Sequence, residues 1–153
     1  MGLGEAITLA TASLEANAAH TAALRDRLMT GILQRVPDTR VNGTMDSRLP
    51  GNLNLSFQGI EGEALLLRLD LAGVCASSGS ACTSGSLDPS HVLMAIGLTP
   101  SQAAGSLRFS VGTDNTDNDI DYTLEVLPGI VQNLRDLSAG VFTEPACPIK
   151  KRG

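Results

Sequence analysis

Residues 52–71, NLNLSFQGIEGEALLLRLDL, place two different periods side by side. Leu53, Leu55 and Phe57 alternate with Asn52, Asn54 and Ser56, the period of two that sends successive side chains to opposite faces of a half-buried strand. From Glu61 to Leu71 acids in the first turn precede a Leu-rich body, which predicts a short helix. The same strand signal returns at Leu107 to Val111, with Leu107, Phe109 and Val111 on one face and Arg108 and Ser110 on the other. Thr116-x-x-Asp119 then reads as the capping-box start of a final helix carrying Ile120, Leu124, Leu127, Val131 and Leu134. Pro128 inside that helix predicts a kink near Leu124.

Upstream of this block, Ile7, Ala10, Leu14, Ala18, Leu24, Leu28 and Ile32 fall on one helical stripe that frays at Gly31 and Pro37. A helix of about 30 residues is about 45 Å long, more than a small domain needs to cover itself. That excess length leads us to expect further structure upstream. Asn42-Gly43 and Pro50-Gly51 mark a loop, and Val74 to Ser77 a brief strand. Asp88 as cap and Pro89 in the first turn predict a helix through Ile96, ended by Gly97. Short antiparallel-type strands interleaved with long helices make the expected fold class α/β, a two-layer sandwich with a small sheet packed by helices.

The chain has 153 residues, enough for one domain with a core and too few for two ordinary ones. Only 3% of residues are aromatic, so that core must be built from Leu, Ile, Val and Ala. A net charge of -5 argues against nucleic acid or an anionic membrane as partner, since neither attracts an acidic surface. The richest apolar run, Ala64 to Val74, is short and broken by Arg68 and Asp70, so no bilayer span is expected. Three cysteines without framework spacing fit reduced thiols and a cytoplasmic location.

Two residues are candidates for chemistry. Cys82 lies in Ser78-Gly79-Ser80-Ala81-Cys82-Thr83-Ser84-Gly85-Ser86, where no neighbour is large enough to bury it. Such a thiol is either a group-carrying nucleophile that must reach donor and acceptor, or an incidental cysteine on a Gly/Ser loop. Arg108, turned away from the apolar face, either aims its planar fork at a carboxylate or lies on a solvated strand face. Cys75 reads as a small buried hydrophobe in its strand, and Cys147 has no readable role. His20 and His91 have no His or Cys at ligand spacing, so no metal site is expected. The stretch from Gly79 to Ser86 lacks the Gly-Lys-Ser/Thr ending of a phosphate loop.

The run SSGSACTSGS at residues 77–86, followed by Leu87-Asp88-Pro89-Ser90-His91-Val92-Leu93, resembles the nucleophile loop of NifS/IscS-type cysteine desulfurases, enzymes of the class-V aminotransferase family. Collinear blocks extend the resemblance over nearly all of residues 1–138. Arg48-Leu49-Pro50-Gly51-Asn52-Leu53-Asn54 is similar to the family's strand entry, and Gly59-Ile60-Glu61-Gly62-Glu63 to the turn after it. Gly105-Ser106-Leu107-Arg108-Phe109-Ser110 is similar to the strand that carries the substrate-carboxylate arginine, and Asp121-Tyr122 and Leu134-Arg135-Asp136-Leu137 fit the last helix.

The resemblance implies that residues 1–138 form the C-terminal small domain of a fold-type I pyridoxal-phosphate enzyme. Residues 1–36 would be the helix linking it to an upstream large domain, and residues 139–153 a loose tail. It implies that Cys82 is the catalytic nucleophile that takes sulfur from L-cysteine as a persulfide, and that Arg108 binds the substrate carboxylate. Implied with these are pyridoxal 5′-phosphate as cofactor, a homodimer, and a sulfur-acceptor scaffold protein of the IscU/NifU kind in iron-sulfur cluster assembly. The cofactor lysine has no counterpart, because the only lysines are Lys150 and Lys151 in the tail. The expectation is therefore a fragment inactive on its own. The alternatives are half of a split desulfurase, or a non-enzymatic sulfur-carrier or protein-interaction module.

Overall fold

The computed structural model describes residues 2–78 and 89–140. A three-stranded antiparallel sheet runs in the order β1 (Thr39–Val41), β2 (Asn52–Phe57), β3 (Ser106–Ser110). Its register sets Leu53 opposite Phe109 and Leu55 opposite both Leu107 and Val41, so the apolar halves of the strands share one face. Three helices cover that face: α1 (Gly2–Arg35), α2 (Gly62–Leu71) and α5 (Asp117–Ser138). Leu28 and Ile32 of α1, Leu65 and Leu69 of α2, and Leu127 and Val131 of α5 are buried against Leu53, Leu55, Phe57 and Leu107. The result is the expected α/β two-layer arrangement, with the opposite sheet face left to polar residues. No described helix is long and apolar enough to cross a membrane.

Backbone closeness holds the layers in register. A Cβ on Gly62 would lie 2.5 Å from the Ser106 carbonyl oxygen, and one on Gly105 would lie 2.5 Å from that of Phe57. These positions admit no side chain. The helices α1 and α5 are tied at the surface, where Arg27 pairs with Asp117 and Asp121 at 2.6 Å each. The capping box read from Thr116 and Asp119 is present, with the Thr116 N–H donating to the Asp119 carboxylate at 2.8 Å. That bond, then the Thr116 hydroxyl, holds the Asp119 pKa below its ordinary value of 3.8. The helix α5 continues through Pro128 to Ser138.

Several elements differ from the sequence expectation. The stripe on α1 is half uncovered: Leu24, Leu28 and Ile32 are buried, whereas Ile7, Leu14 and their neighbours Leu3 and Leu9 are all more than 55% exposed. The helix is 34 residues long, and its first half lies outside the core it shares with the sheet. The helix expected from Pro89 begins later, as α3 (His91–Ala95), because Ser90 keeps an extended ψ of 117°. Ser90 is its N-cap, and Asp88 lies outside the described residues. Val74 to Ser77 forms no strand and contributes one bridge, Ser77 to Arg108. The strand β1 and the helix α4 (Pro100–Ala104) were not expected. Yet α4 carries its signal openly, with Pro100 in the first turn and reciprocal capping bonds between Thr99 and Gln102.

Replacing Leu55 by Ala should cost about 2–5 kcal/mol, the range for a buried leucine leaving a cavity. Replacing Ile7 by Ala should stay within about 0.5 kcal/mol, as for an exposed site. Urea unfolding of the two variants checks the contrast, and equal losses would place the first half of α1 in the folded core. For the α5 cap, the depressed carboxylate contributes fully above its unfolded pKa, and the contribution fades as pH falls through the folded value. The stability gap between the wild type and Asp119→Ala should therefore narrow below about pH 3.8 in acid titrations of the melting temperature.

Candidate functional site

The polar sheet face floors a cleft of about 980 Å³. Strand alternation puts Asn52, Asn54, Ser106 and Arg108 on this face, directly behind the leucines of the core. Arg108 is exposed, and it stands opposite Asn54 in the β2–β3 register. Asn54 in turn stands opposite Asn42, whose N–H donates to the Asn54 carbonyl at 2.9 Å. One rung of the sheet thus carries Asn42, Asn54 and Arg108. The walls are the β1–β2 loop with Arg48 and Leu49 on one side, and Ser77, Ser78, Ser90 and His91 on the other.

Asn42 is the buried member of this set, at 2% exposure. Its Nδ2 donates to Asn54 Oδ1 at 2.7 Å and to Ser56 Oγ at 2.8 Å, which ties three polar residues into one array. Its Oδ1 has no hydrogen-bond partner, an uncompensated acceptor at the edge of the cleft. Arg48 closes the loop above it, with Nε donating to the Thr44 carbonyl at 3.1 Å and Nη2 to the Asn42 carbonyl. Burial, then repulsion from the Arg25 guanidinium, pushes the Arg48 pKa below its ordinary value. Arg25 is itself buried in α1, pairs with Asp26 at 2.7 Å and donates to the Leu49 carbonyl at 3.3 Å.

Arg108 is held by its backbone on both sides. Besides its place in β3, its N–H donates to the Ser77 carbonyl at 2.7 Å and its carbonyl accepts from the Ser77 N–H at 2.9 Å. The residue bearing the fork therefore also anchors the chain just before the segment that contains Cys82. Cys82 and Cys147 lie outside the described residues, but Ser78, directly before residues 79–88, and Ser90, two residues after them, both line the cleft.

Cys75 corrects an expectation. It is exposed rather than buried, because the segment after α2 makes no strand and leaves it at the rim of a separate hollow of about 420 Å³ with Asp119 and Tyr122. That hollow does not include Arg108. Of the histidines, His91 lines the Arg108 cleft, while His20 is hydrogen-bonded through Nε2 to the Asn115 carbonyl at 3.0 Å. Among the described residues no group of His, Cys, Asp and Glu could hold a metal. Sequence reading missed Arg48 and Asn42 as site residues. The alternation of Asn52 and Asn54 opposite the leucines was the available signal, since it already assigned this sheet face to polar work.

Known proteins place this architecture. The family model for class-V aminotransferases matches residues 1–123. A curated cysteine desulfurase IscS of Clostridium botulinum is 53% identical over 140 residues, which is 90% of this chain and 35% of the relative. A cysteine desulfurase of Gluconacetobacter diazotrophicus is 49% identical over 138 residues, with 90% and 34% covered. The chain thus spans about a third of the length of these relatives. Among solved structures, a NifS-like protein from Rickettsia africae superposes with a TM-score of 0.73 at 27% identity, covering 86% of this chain and 33% of that one. A family match across most of the chain, agreeing relatives and a shared fold lead to one conclusion: the chain belongs to the class-V aminotransferase family.

Proposed function

We propose that this chain is the sulfur-accepting and carboxylate-binding part of a cysteine desulfurase. The observation that carries the reading is the shared cleft. Arg108 offers a guanidinium on its floor, and Ser78 and Ser90, on either side of the Cys82 segment, lie on its wall. Cys82 is four residues beyond Ser78, so chain length alone keeps it within about 14 Å of that residue. A carboxylate on Arg108 and a thiol on that short tether can act on one amino acid. The printed names of the curated relatives agree with this substrate, L-cysteine.

The proposed transfer balances as follows. The Cys82 thiolate attacks the substrate sulfur, a sulfur–sulfur bond forms and the bond from sulfur to the substrate β-carbon breaks. The electron pair of the broken bond goes to that carbon, which takes a proton and leaves as the methyl group of alanine. The persulfide on Cys82 is then available to a scaffold protein for iron-sulfur assembly or another acceptor. Arg108 orients the substrate throughout by a bidentate contact.

Pyridoxal phosphate, the cofactor the family resemblance implies, does not fit the residues of this chain as a Schiff base. The described residues contain no lysine, and Lys150 and Lys151 lie beyond the family match. A large domain, whether on the same longer protein or on a separate chain, would have to supply that group.

Purified chain incubated with pyridoxal phosphate and reduced with borohydride should give no adduct within residues 2–140 by peptide mapping. An adduct there would overturn the division of labour just described. When the chain is combined with a pyridoxal-phosphate-bearing large domain, labelled cysteine should leave a persulfide on Cys82. Cys82→Ser should abolish it, and label surviving that change would show the nucleophile to be another residue. Because Cys75 is exposed, simple alkylation does not discriminate, and the label must be mapped. Arg108→Ala should raise KM for cysteine by roughly 10- to 150-fold, the equivalent of a lost charge-assisted contact. Arg108→Lys should recover only part of that, since a point charge does not reproduce the fork.

A further inference from the structure

The cleft that presents Arg108 contains a second guanidinium, on Arg48. Its Nε and Nη2 bonds to the Thr44 and Asn42 carbonyls fix the orientation of the fork, and its remaining donors meet no acceptor among the described residues. Both acceptors are neutral, so they hold the group in place without balancing its charge. Among the described residues neither Arg48 nor Arg108 pairs with a carboxylate, and no described lining residue is acidic. Asp46, two residues from Arg48, accepts from the Thr44 hydroxyl at 3.5 Å and forms no ion pair with Arg48, and Asp26 is engaged by Arg25. Burial, then repulsion from the Arg25 guanidinium, lowers the Arg48 pKa.

The sheet fixes the scale of this arrangement. Arg48 is bonded to the backbone of Asn42, and Asn42, Asn54 and Arg108 occupy one rung. Two strand spacings therefore separate the Asn42 and Arg108 backbones, about 10 Å. The Arg48 fork, bonded to the Asn42 carbonyl, and the Arg108 side chain therefore line one cleft from neighbouring parts of its floor and wall.

We infer that Arg48 is a second anion-positioning residue of this cleft, so that the cleft favours small ligands with an anionic group at each end over those with one. The inference rests on the reading of Arg108 as the carboxylate anchor. For cysteine, the end away from the carboxylate is the sulfur, which bears the negative charge once it is the outer atom of the persulfide, and Arg48 serves that end. Arg48 thus orients the sulfur while Arg108 holds the carboxylate.

The test uses the full chain labelled with ¹⁵N and titrated with acetate and with succinate, followed by backbone and arginine Nε–H resonances. Succinate should bind more tightly than acetate by about five- to tenfold, a charge-assisted contact discounted for a half-open cleft. Arg48→Gln should remove most of that preference and leave acetate binding in place, and Arg48→Lys should restore part of it. In the wild type the Arg48 Nε–H signal should shift with succinate and much less with acetate, a measurement independent of how any variant folds. Equal affinities for the two ligands, a preference that survives Arg48→Gln, or an unresponsive Arg48 signal would each overturn the inference. Acetate binding untouched by Arg108→Gln would overturn the anchor reading instead, whereas an effect at Arg108 with none at Arg48 overturns only the role of Arg48.

Discussion

A pleated strand must send successive side chains to opposite faces, and both the core and the cleft of this molecule depend on that alternation. In β2 it gives Leu53, Leu55 and Phe57 to the helices and Asn52, Asn54 and Ser56 to the polar face. In β3 it gives Leu107 and Phe109 to the core and Arg108 to the cleft. The antiparallel pairing then aligns the two patterns, so that the site is a direct consequence of how the core is packed. A shift of one residue in β3 would bury the Arg108 guanidinium and expose Leu107 at the same time.

Charge divides in the same local way. The chain is acidic overall, with a net charge of -5, yet the described lining of its main cleft carries Arg48, Arg108 and His91 and no carboxylate. An anion meets repulsion over much of the surface and attraction in one concave place, where low-dielectric walls concentrate the field. Overall charge bears on a polyanionic partner, and it says nothing about a small anionic substrate. Those are questions of different length scale.

The fold was legible in sequence wherever a period was long or a cap was complete. The alternation at residues 53–57 and 107–111 and the Thr116 capping box gave the sheet and α5 directly. The three-residue β1 was not legible, because its ladder comes from pairing with β2 rather than from its own pattern. Nor was the coverage of α1, whose stripe of leucine, isoleucine and alanine looks uniform although only the second half meets the sheet. Cys75 was misjudged for a related reason: burial was inferred from an expected strand that the structure reduces to a single bridge at Ser77. At the cleft, alternation put Arg108 on the polar face, and only the family resemblance singled it out there as a candidate carboxylate anchor. Arg48 was not singled out, because its place depends on a loop folding back onto the Asn42 carbonyl, a contact with no periodic signature.

The paired bonds between Ser77 and Arg108 have a mechanical side. Ser77 is the last bridged residue described before residue 79, so the chain entering that segment is clamped to the backbone of Arg108. A breathing motion of the sheet carries Ser77 and Arg108 together, and the point where the chain leaves the cleft keeps its place relative to the strand that bears the guanidinium. Evolution can accordingly lengthen or shorten the stretch after that clamp without disturbing the floor of the cleft.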